Sequence, residues 1–402
     1  MGRLSTLPRD ALPAHQRRFH DAVKAIRRRA ISGPFIVLMN SSPDLAARYA
    51  HLGHYFHARG QADESIVSLR VRAYLSLIGS RALDAPYEWA AWVNWALEAG
   101  VPQDTVDAIR EGRSPASLSA EEALVTDFCT QLISGNHRVS DSTFAAAKQH
   151  FGVQGVVELV VTLGYFTMIA LPLNAFEISI SAEQVAMRKP FTPLPVTAAA
   201  WVDTGAHSDL PALNGSHSTT PRVQPLVTHH DVAPEHQHFL DRIMRTRGVI
   251  SPAFQVLLHA PDAAERVANI GTYFLYETAL PHAVKMLTWL IAARELDCDY
   301  AWHAAVNDAR ASGIAAGLMD ALEQGKPLTS AAAEQRVVID FCHQLLRGNH
   351  HVSEKTYAAA IERFGIPATV QIAALLGYIV MMSLLASAFE ITTPADASVA
   401  AL

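Results

Sequence analysis

A chain of 402 residues, half of them apolar, is long enough for two or three domains that each bury a core. Its formal charge of −6 supplies no basic field of the kind non-specific nucleic-acid binding needs, so nucleic acid is not an expected partner. The three cysteines, Cys129, Cys298 and Cys342, form neither a CxxC nor a metal-type spacing, and an odd count makes no disulfide framework; a reducing, cytoplasmic setting is expected.

The N-terminus, MGRLSTLPRDALPAHQRRFH, is basic but has no apolar core of signal-peptide length, and its Gly2 with Thr6 matches only the short, common myristoylation pattern. Apolar residues then recur at helical spacing in PDLAARYAHLGHYF, SLRVRAYLSLIGSRAL and AEEALVTDFCTQLISG, and nothing alternates strictly as a half-buried strand would. Pro43 and Pro261 fit first helical positions, with Ser42 as a cap before the former. Gly100, Gly135, Gly313 and Gly348 are expected to end helices in a left-handed conformation. VSDSTF and VSEKTY each open a new helix, with Ser140 and Ser353 as caps. The longest apolar run, LVVTLGYFTMIALPL from Leu159 to Leu173, is shorter than a membrane span requires and contains Gly164 and Pro172. It is expected to be a buried helix broken near its C-terminal end, and no membrane partner is expected.

The chain repeats itself. DFCTQLISGNHRVSDSTFAAA from Asp127 returns as DFCHQLLRGNHHVSEKTYAAA from Asp340, a shift of 213 residues, and LGYFTMIALPLNAFEI from Leu163 returns as LGYIVMMSLLASAFEI from Leu376. The same shift places LDAPYEWAAWVNWALEAGV on LDCDYAWHAAVNDARASGI, and SPDLAARYAHLGHYF near Pro43 pairs with APDAAERVANIGTYF near Pro261. A unit this long is a duplicated domain and not a solenoid. The expected organisation is one all-α domain over residues 13–187, a Pro/Ser/His-rich linker over 188–231 and a second domain over 232–395. The two are expected to pack as a pseudo-dimer, which could in turn form a homo-oligomer.

These blocks resemble the carboxymuconolactone decarboxylase family, which has the alkylhydroperoxidase D-like all-helical fold. The resemblance is carried by GPFIVLMNSSPDLAARYAHLGHYF, by LDAPYEWAAWVNWALEAGVPQDTVDAI and by VSDSTFAAAKQHFGVQGVVELVVTLGYFTMIALPLNAFEI, and it covers each repeat almost end to end. The peroxidase-type members carry a CxxCxxxH helix motif, which falls here on Ala85, Glu88 and Trp92 in the first repeat and on Cys298, Ala301 and Ala305 in the second. Neither repeat keeps the thiol pair that thiol–disulfide chemistry needs. The decarboxylase-type members look like YEWxxH at this place; the first repeat keeps Tyr87, Glu88 and Trp89 and has Trp92 in the histidine's position. The upstream glutamate position of the family falls on Ala73 and Met286.

Glu88 and Trp92, four apart, share a helix face, and a carboxylate walled by indoles could act as a general acid or base. The alternative is a structural Glu88 paired with Arg70, Arg72 or Arg81. In the second repeat His303 follows Trp302, two positions before the family's histidine slot and so about 200° around the helix from it. His51, His54 and His57 recur every third residue, which would let adjacent pairs reach one metal, though a drift of about 60° per step keeps all three from sharing it. His137 and His350 read as turn or capping elements, Asn94 and Asn307 as buried amides closing a hydrogen-bond network, and the lone Cys298 as a small core hydrophobe; Cys129 and Cys342 read as packing.

The resulting expectation is a decarboxylase- or lyase-like enzyme that works without a cofactor on a small, partly apolar lactone or carboxylate. Glu88, His303, His54 and His57 are the candidate proton carriers. Tyr87, Trp89, Trp92, Tyr300 and Trp302 would line the pocket, with Arg70 holding a substrate carboxylate. Two alternatives stand beside it: a catalytically decayed binding or scaffold protein, and a metal enzyme built on His51, His54 and His57.

Overall fold

The computed structural model describes residues 2–28, 30–58, 65–113, 118–133, 137–180 and 222–392. Among these the chain is all-α, as its periodicity predicts, and no strand occurs. The first half runs α1 (Arg17–Arg27), α2 (Pro34–Met39), α3 (Pro43–His57), α4 (Leu69–Ala82), α5 (Pro86–Glu98), α6 (Gln103–Arg110), α7 (Ala120–Ile133) and α8 (Asp141–Ala175). The second half repeats that order as α9 (Gln237–Arg247), α10 (Pro252–Leu257), α11 (Pro261–Thr272), α12 (His282–Glu295), α13 (Asp299–Ala311), α14 (Ala316–Glu323), α15 (Ala333–Leu346) and α16 (Glu354–Phe389). A π-helical turn, Tyr273–Glu277, extends α11.

Helix ends follow the sequence signals. Ser42 accepts from the Leu45 amide beside Pro43 in the first turn of α3, and Ser140 and Ser353 accept from the amides of Thr143 and Thr356. Gly100 and Gly313, with φ of 92° and 91°, close α5 and α13 in the left-handed region, and Gly348 does the same after α15. Gly135 lies outside the described residues.

The break expected near the end of the Leu159–Leu173 run is not there. The helix continues through Gly164 and Pro172 to Ala175, and its non-helical residue is Gly152 (φ 68°), matched by Gly365 (φ 75°) in α16. A proline in the last turn removes a single hydrogen bond, whereas positive φ interrupts the helix outright. By length and composition α8 and α16 could each cross a membrane, yet their most apolar windows are 100% and 94% buried inside the protein.

These two helices pack on each other at the centre. At Gly164 an added Cβ would overlap the Met381 side chain, and at Gly377 it would sit 2.6 Å from the Met168 carbonyl oxygen. Gly164 and Met168 are the counterparts of Gly377 and Met381, so the contact is made twice with the roles exchanged. The Met168 carbonyl is also the one that Pro172 leaves without its helical donor, and the absent side chain of Gly377 lets the partner helix close over it.

Other contacts exchange in the same way. Arg48 on α3 lies over the Tyr273 ring, and Arg266 on α11 lies over Tyr55. Arg3 donates to the Ala175 and Val352 carbonyls, both at 2.8 Å, pairs with Glu354 and covers Tyr357. Arg222 donates to the Ala388 and Val139 carbonyls, pairs with Asp141 and covers Phe144. Each arginine thus ties the end of one long helix to the start of the other. Boundaries at residues 13 and 232 therefore cut off packed segments. Residues 222–231, read from composition as linker, place a buried Val223 in the core and pair the Leu226 amide with the Gln255 carbonyl. The rest of the linker, 188–221, lies outside the described residues.

His137 and His350 are turn residues, as expected, with φ of 57° each. Both are buried, and Nδ1 lies 3.2 Å and 3.0 Å from the Leu132 and Leu345 carbonyls. Burial pushes each imidazole down to about 4. A base whose folded pKa lies below its unfolded value of about 6.5 costs stability as pH falls through the interval between them, because the unfolded chain takes up the proton first. Denaturant titrations should show stability falling from pH 7 to pH 5, by about 2 kcal/mol for each histidine. The double variant His137→Asn/His350→Asn, whose side chains tolerate positive φ, should flatten that slope; an unchanged slope would contradict the assignment. A second test concerns the helix contact. Gly377→Ala should cost about 1–3 kcal/mol in the same measurement and more than Gly164→Ala, because a backbone carbonyl cannot move aside as a methionine side chain can.

Candidate functional site

The first half holds a cavity of about 1200 Å³ bounded by α1, α3, α5, α6 and α8. Its position follows from the fold, since α3 and α5 lean on α8 and leave the gap between their C-terminal and N-terminal ends. Glu88, His57, Trp92, Trp95 and Tyr165 all face it.

Glu88 is 1% exposed, and α5 explains how a carboxylate is held there. Pro86 opens the helix and Glu88 falls in its first turn, where the unsatisfied amides and the helix dipole favour negative charge. One turn on, the Trp92 indole Nε1 donates to Glu88 Oε2 at 2.9 Å. An indole is a donor only, so Trp92 can fix and stabilise the carboxylate but cannot carry a proton as a histidine in its place could.

A histidine reaches the cavity from another helix. His57, at the end of α3, stacks on Trp92 with ring centroids 4.4 Å apart and meets Trp95 edge-on at 5.0 Å. Tyr165 and Phe166 of α8 close the ring cluster at 5.9 and 5.7 Å from it. Arg72, fully buried on α4, donates to the Tyr55 and Phe56 carbonyls and so fixes the last turn of α3 that carries His57. Lys285 does the same for the Phe274 and Leu275 carbonyls in the second half. At the wall, Gly33 (φ 62°) lies so near Tyr87 that a Cβ would sit 2.7 Å from its ring, and at Gly53 a Cβ would overlap the Tyr165 hydroxyl.

No family model matches the chain, and no curated protein matches it either. What the cavity can do is therefore read from its own side chains.

Of the residues singled out in the sequence, the structure gathers Glu88, His57, His54, Tyr87, Trp89 and Trp92 on this one cavity, with His54 exposed at its rim. The others are elsewhere. Arg70 is not on the cavity wall; it pairs with Glu122 of α7 at 2.7 Å. Arg72 serves the carbonyls at the end of α3, and Arg81 pairs with Asp84. His303, Tyr300 and Trp302 belong to α13 of the other half. His303 is exposed with Nδ1 on the Asp299 carbonyl, while Tyr300 and Trp302 are core residues, the Tyr300 hydroxyl accepting from the Ala253 amide. Asn94 and Asn307 are exposed, not buried, because they fall on the outward faces of α5 and α13. Cys298 is a buried core residue whose thiol is pushed up to about 11 by burial, which leaves no thiolate near neutral pH. Among the described residues, no three His, Cys, Asp or Glu side chains come together as a metal site; His51 and His54 point outward from α3 while His57 turns inward.

The sequence reading missed Tyr165, Trp95 and Arg27. Tyr165 carried a usable signal, since LGYF and LGYI keep the tyrosine in both copies. The Glu88–Trp92 bond yields a prediction. Trp92→Phe keeps the ring but removes the indole donor from this carboxylate, and should destabilise the protein by about 1–3 kcal/mol in denaturant titration at neutral pH; a change within error would mean that the bond carries no weight.

Proposed function

We propose that the chain consists of two fused carboxymuconolactone decarboxylase-like domains packed as a pseudo-dimer, and that the first is an acid–base site for a small, partly apolar lactone or carboxylate. The exchanged contacts of Arg3 with Arg222 and of Gly164 with Gly377 support the pseudo-dimer. The observation that carries the activity is the convergence of His57 and the indole-bonded Glu88 on one aromatic-walled cavity. Two proton-carrying groups on one pocket suit isomerisation or elimination, in which one takes a proton from a carbon beside a carbonyl and the other gives a proton to the new carbon site or to the leaving oxygen, and decarboxylation, in which the C–C bond to the carboxylate breaks, CO2 leaves and one group protonates the carbon left behind. Tyr87, Trp89 and Trp92 supply the apolar walls.

The decayed-binding-module reading suits the second half. There Ala301, Ala305 and Leu275 stand where Glu88, Trp92 and His57 stand in the first, so neither a carboxylate nor an imidazole is in place.

The test is turnover. Small lactones and unsaturated or keto carboxylates should be screened with the full chain, following substrate loss by NMR, and any activity found then measured for Glu88→Gln and His57→Asn. Each should lower kcat by about 10²–10⁴-fold while leaving the unfolding midpoint near that of the parent. Full activity in both variants would refute the site.

A further inference from the structure

The two halves place one arginine differently. Arg27 ends α1 and Arg247 ends α9, and each guanidinium lies over a phenylalanine ring of the next helix, Phe35 at 4.2 Å and Phe254 at 4.3 Å. In the first half it reaches outward, donating to the Ala30 carbonyl at 3.1 Å and to Ser32 Oγ at 3.2 Å. In the second half it turns inward. Arg247 Nη2 donates to the Ala268 carbonyl at 3.3 Å, and a Cβ added to Gly271 would overlap both that nitrogen and the Tyr378 hydroxyl.

Ala268, Gly271 and Tyr378 are the counterparts of Ala50, Gly53 and Tyr165, three residues of the cavity wall. The part of the cavity beside these three residues in the first half is thus occupied in the second by a guanidinium. The connecting segments account for the difference: Arg28 to Gly33 joins α1 to α2 and brings the Ala30 and Ser32 acceptors, whereas the shorter Gly248 to Ser251 joins α9 to α10.

We propose that Arg27 has the same two positions, and that a ring-bearing carboxylate entering the cavity draws it from the outer to the inner one, where it clamps the carboxylate beside Tyr165. The inference rests on the cavity being a small-molecule site. Arg247 shows that the fold accommodates the inner guanidinium, on an aromatic platform and against the tyrosine hydroxyl. A buried guanidinium is best compensated by a planar anion that takes two parallel hydrogen bonds, and the indole walls favour a ring behind that anion. The other cavity arginines are placed differently: Arg110 is held by Asp107 and Glu111, and Arg28 is an exposed left-handed residue at the rim.

Calorimetric titration of the full chain with benzoate, and with benzamide as its neutral isostere, tests this. The parent should bind one benzoate, at least about tenfold more tightly than benzamide. Arg27→Gln should weaken benzoate by about 10–100-fold with benzamide unmoved, and Arg27→Lys should fall between. Ser32→Ala, which removes an outer acceptor, should tighten benzoate by about two- to fivefold. A parent that does not prefer benzoate, or an Arg27→Gln or Arg27→Lys variant that keeps the full preference, overturns the clamp; unchanged or weaker benzoate binding by Ser32→Ala overturns the movement. Thermal melts of each variant confirm folding. Equilibrium binding is read without turnover, so loss of the clamp and loss of the proton-transfer reading are seen in different measurements.

Discussion

The close approach of α8 and α16 governs the rest of the molecule. The C-terminal segments of both helices are apolar and buried, so they need cover, and two glycines let their backbones come near enough to supply it. With that pair at the centre, α3 and α11 pack across the middle, and α4 with α5 and α12 with α13 pack on the flanks. The cavity is the gap this frame leaves where the C-terminal end of α3 faces the first turn of α5. The arginines at positions 3 and 222 tie the ends of the long helices to each other across the two halves.

The same frame is furnished differently on its two sides. Glu88, Trp92, Trp95 and His57 on one side are replaced by Ala301, Ala305, Asp308 and Leu275 on the other. Smaller residues would leave a void, and voids cost stability in a close-packed interior. In the second half Arg247 turns in beside the counterparts of the cavity wall, where it lies on a phenylalanine face, donates to a carbonyl and sits near a tyrosine hydroxyl. The first half bears the opposite burden, a buried carboxylate, and offsets it with a helix N-terminus and an indole donor. Ala301 stands at the corresponding position of the second half, so the helix forms there without a carboxylate.

Much of this was legible in the residues. Repeat spacing, helical periodicity and the serine and proline signals located the helices, because these are local properties that tertiary contacts did not override. Glu88 and His57 stood out through chemistry that a plain core does not need. Arg27 was invisible: it precedes the blocks that repeat most clearly, and its significance lies in where its counterpart Arg247 points. Arg3 and Arg222 were hidden for a related reason: Arg3 lies ahead of the first domain boundary at residue 13, Arg222 lies in the stretch that composition marks as linker, and the partners of both lie far along the chain. His303 looked functional because it follows Trp302, yet a helix turns about 100° per residue and sets the two on different faces, one buried and one in water. Pro172 suggested a break that did not form, because the last turn of a helix tolerates the loss of one bond.

The large cavity of the first half lies against His57 and Trp92, and the corresponding place in the second half holds the Arg247 guanidinium beside Tyr378. Anomalous diffraction from a crystal soaked in 4-bromophenol reads this most directly. One bromine site per chain is expected, within van der Waals contact of the His57 and Trp92 rings. Bromine beside Tyr378 and Arg247 in the second half, or no bromine in the first, would contradict it.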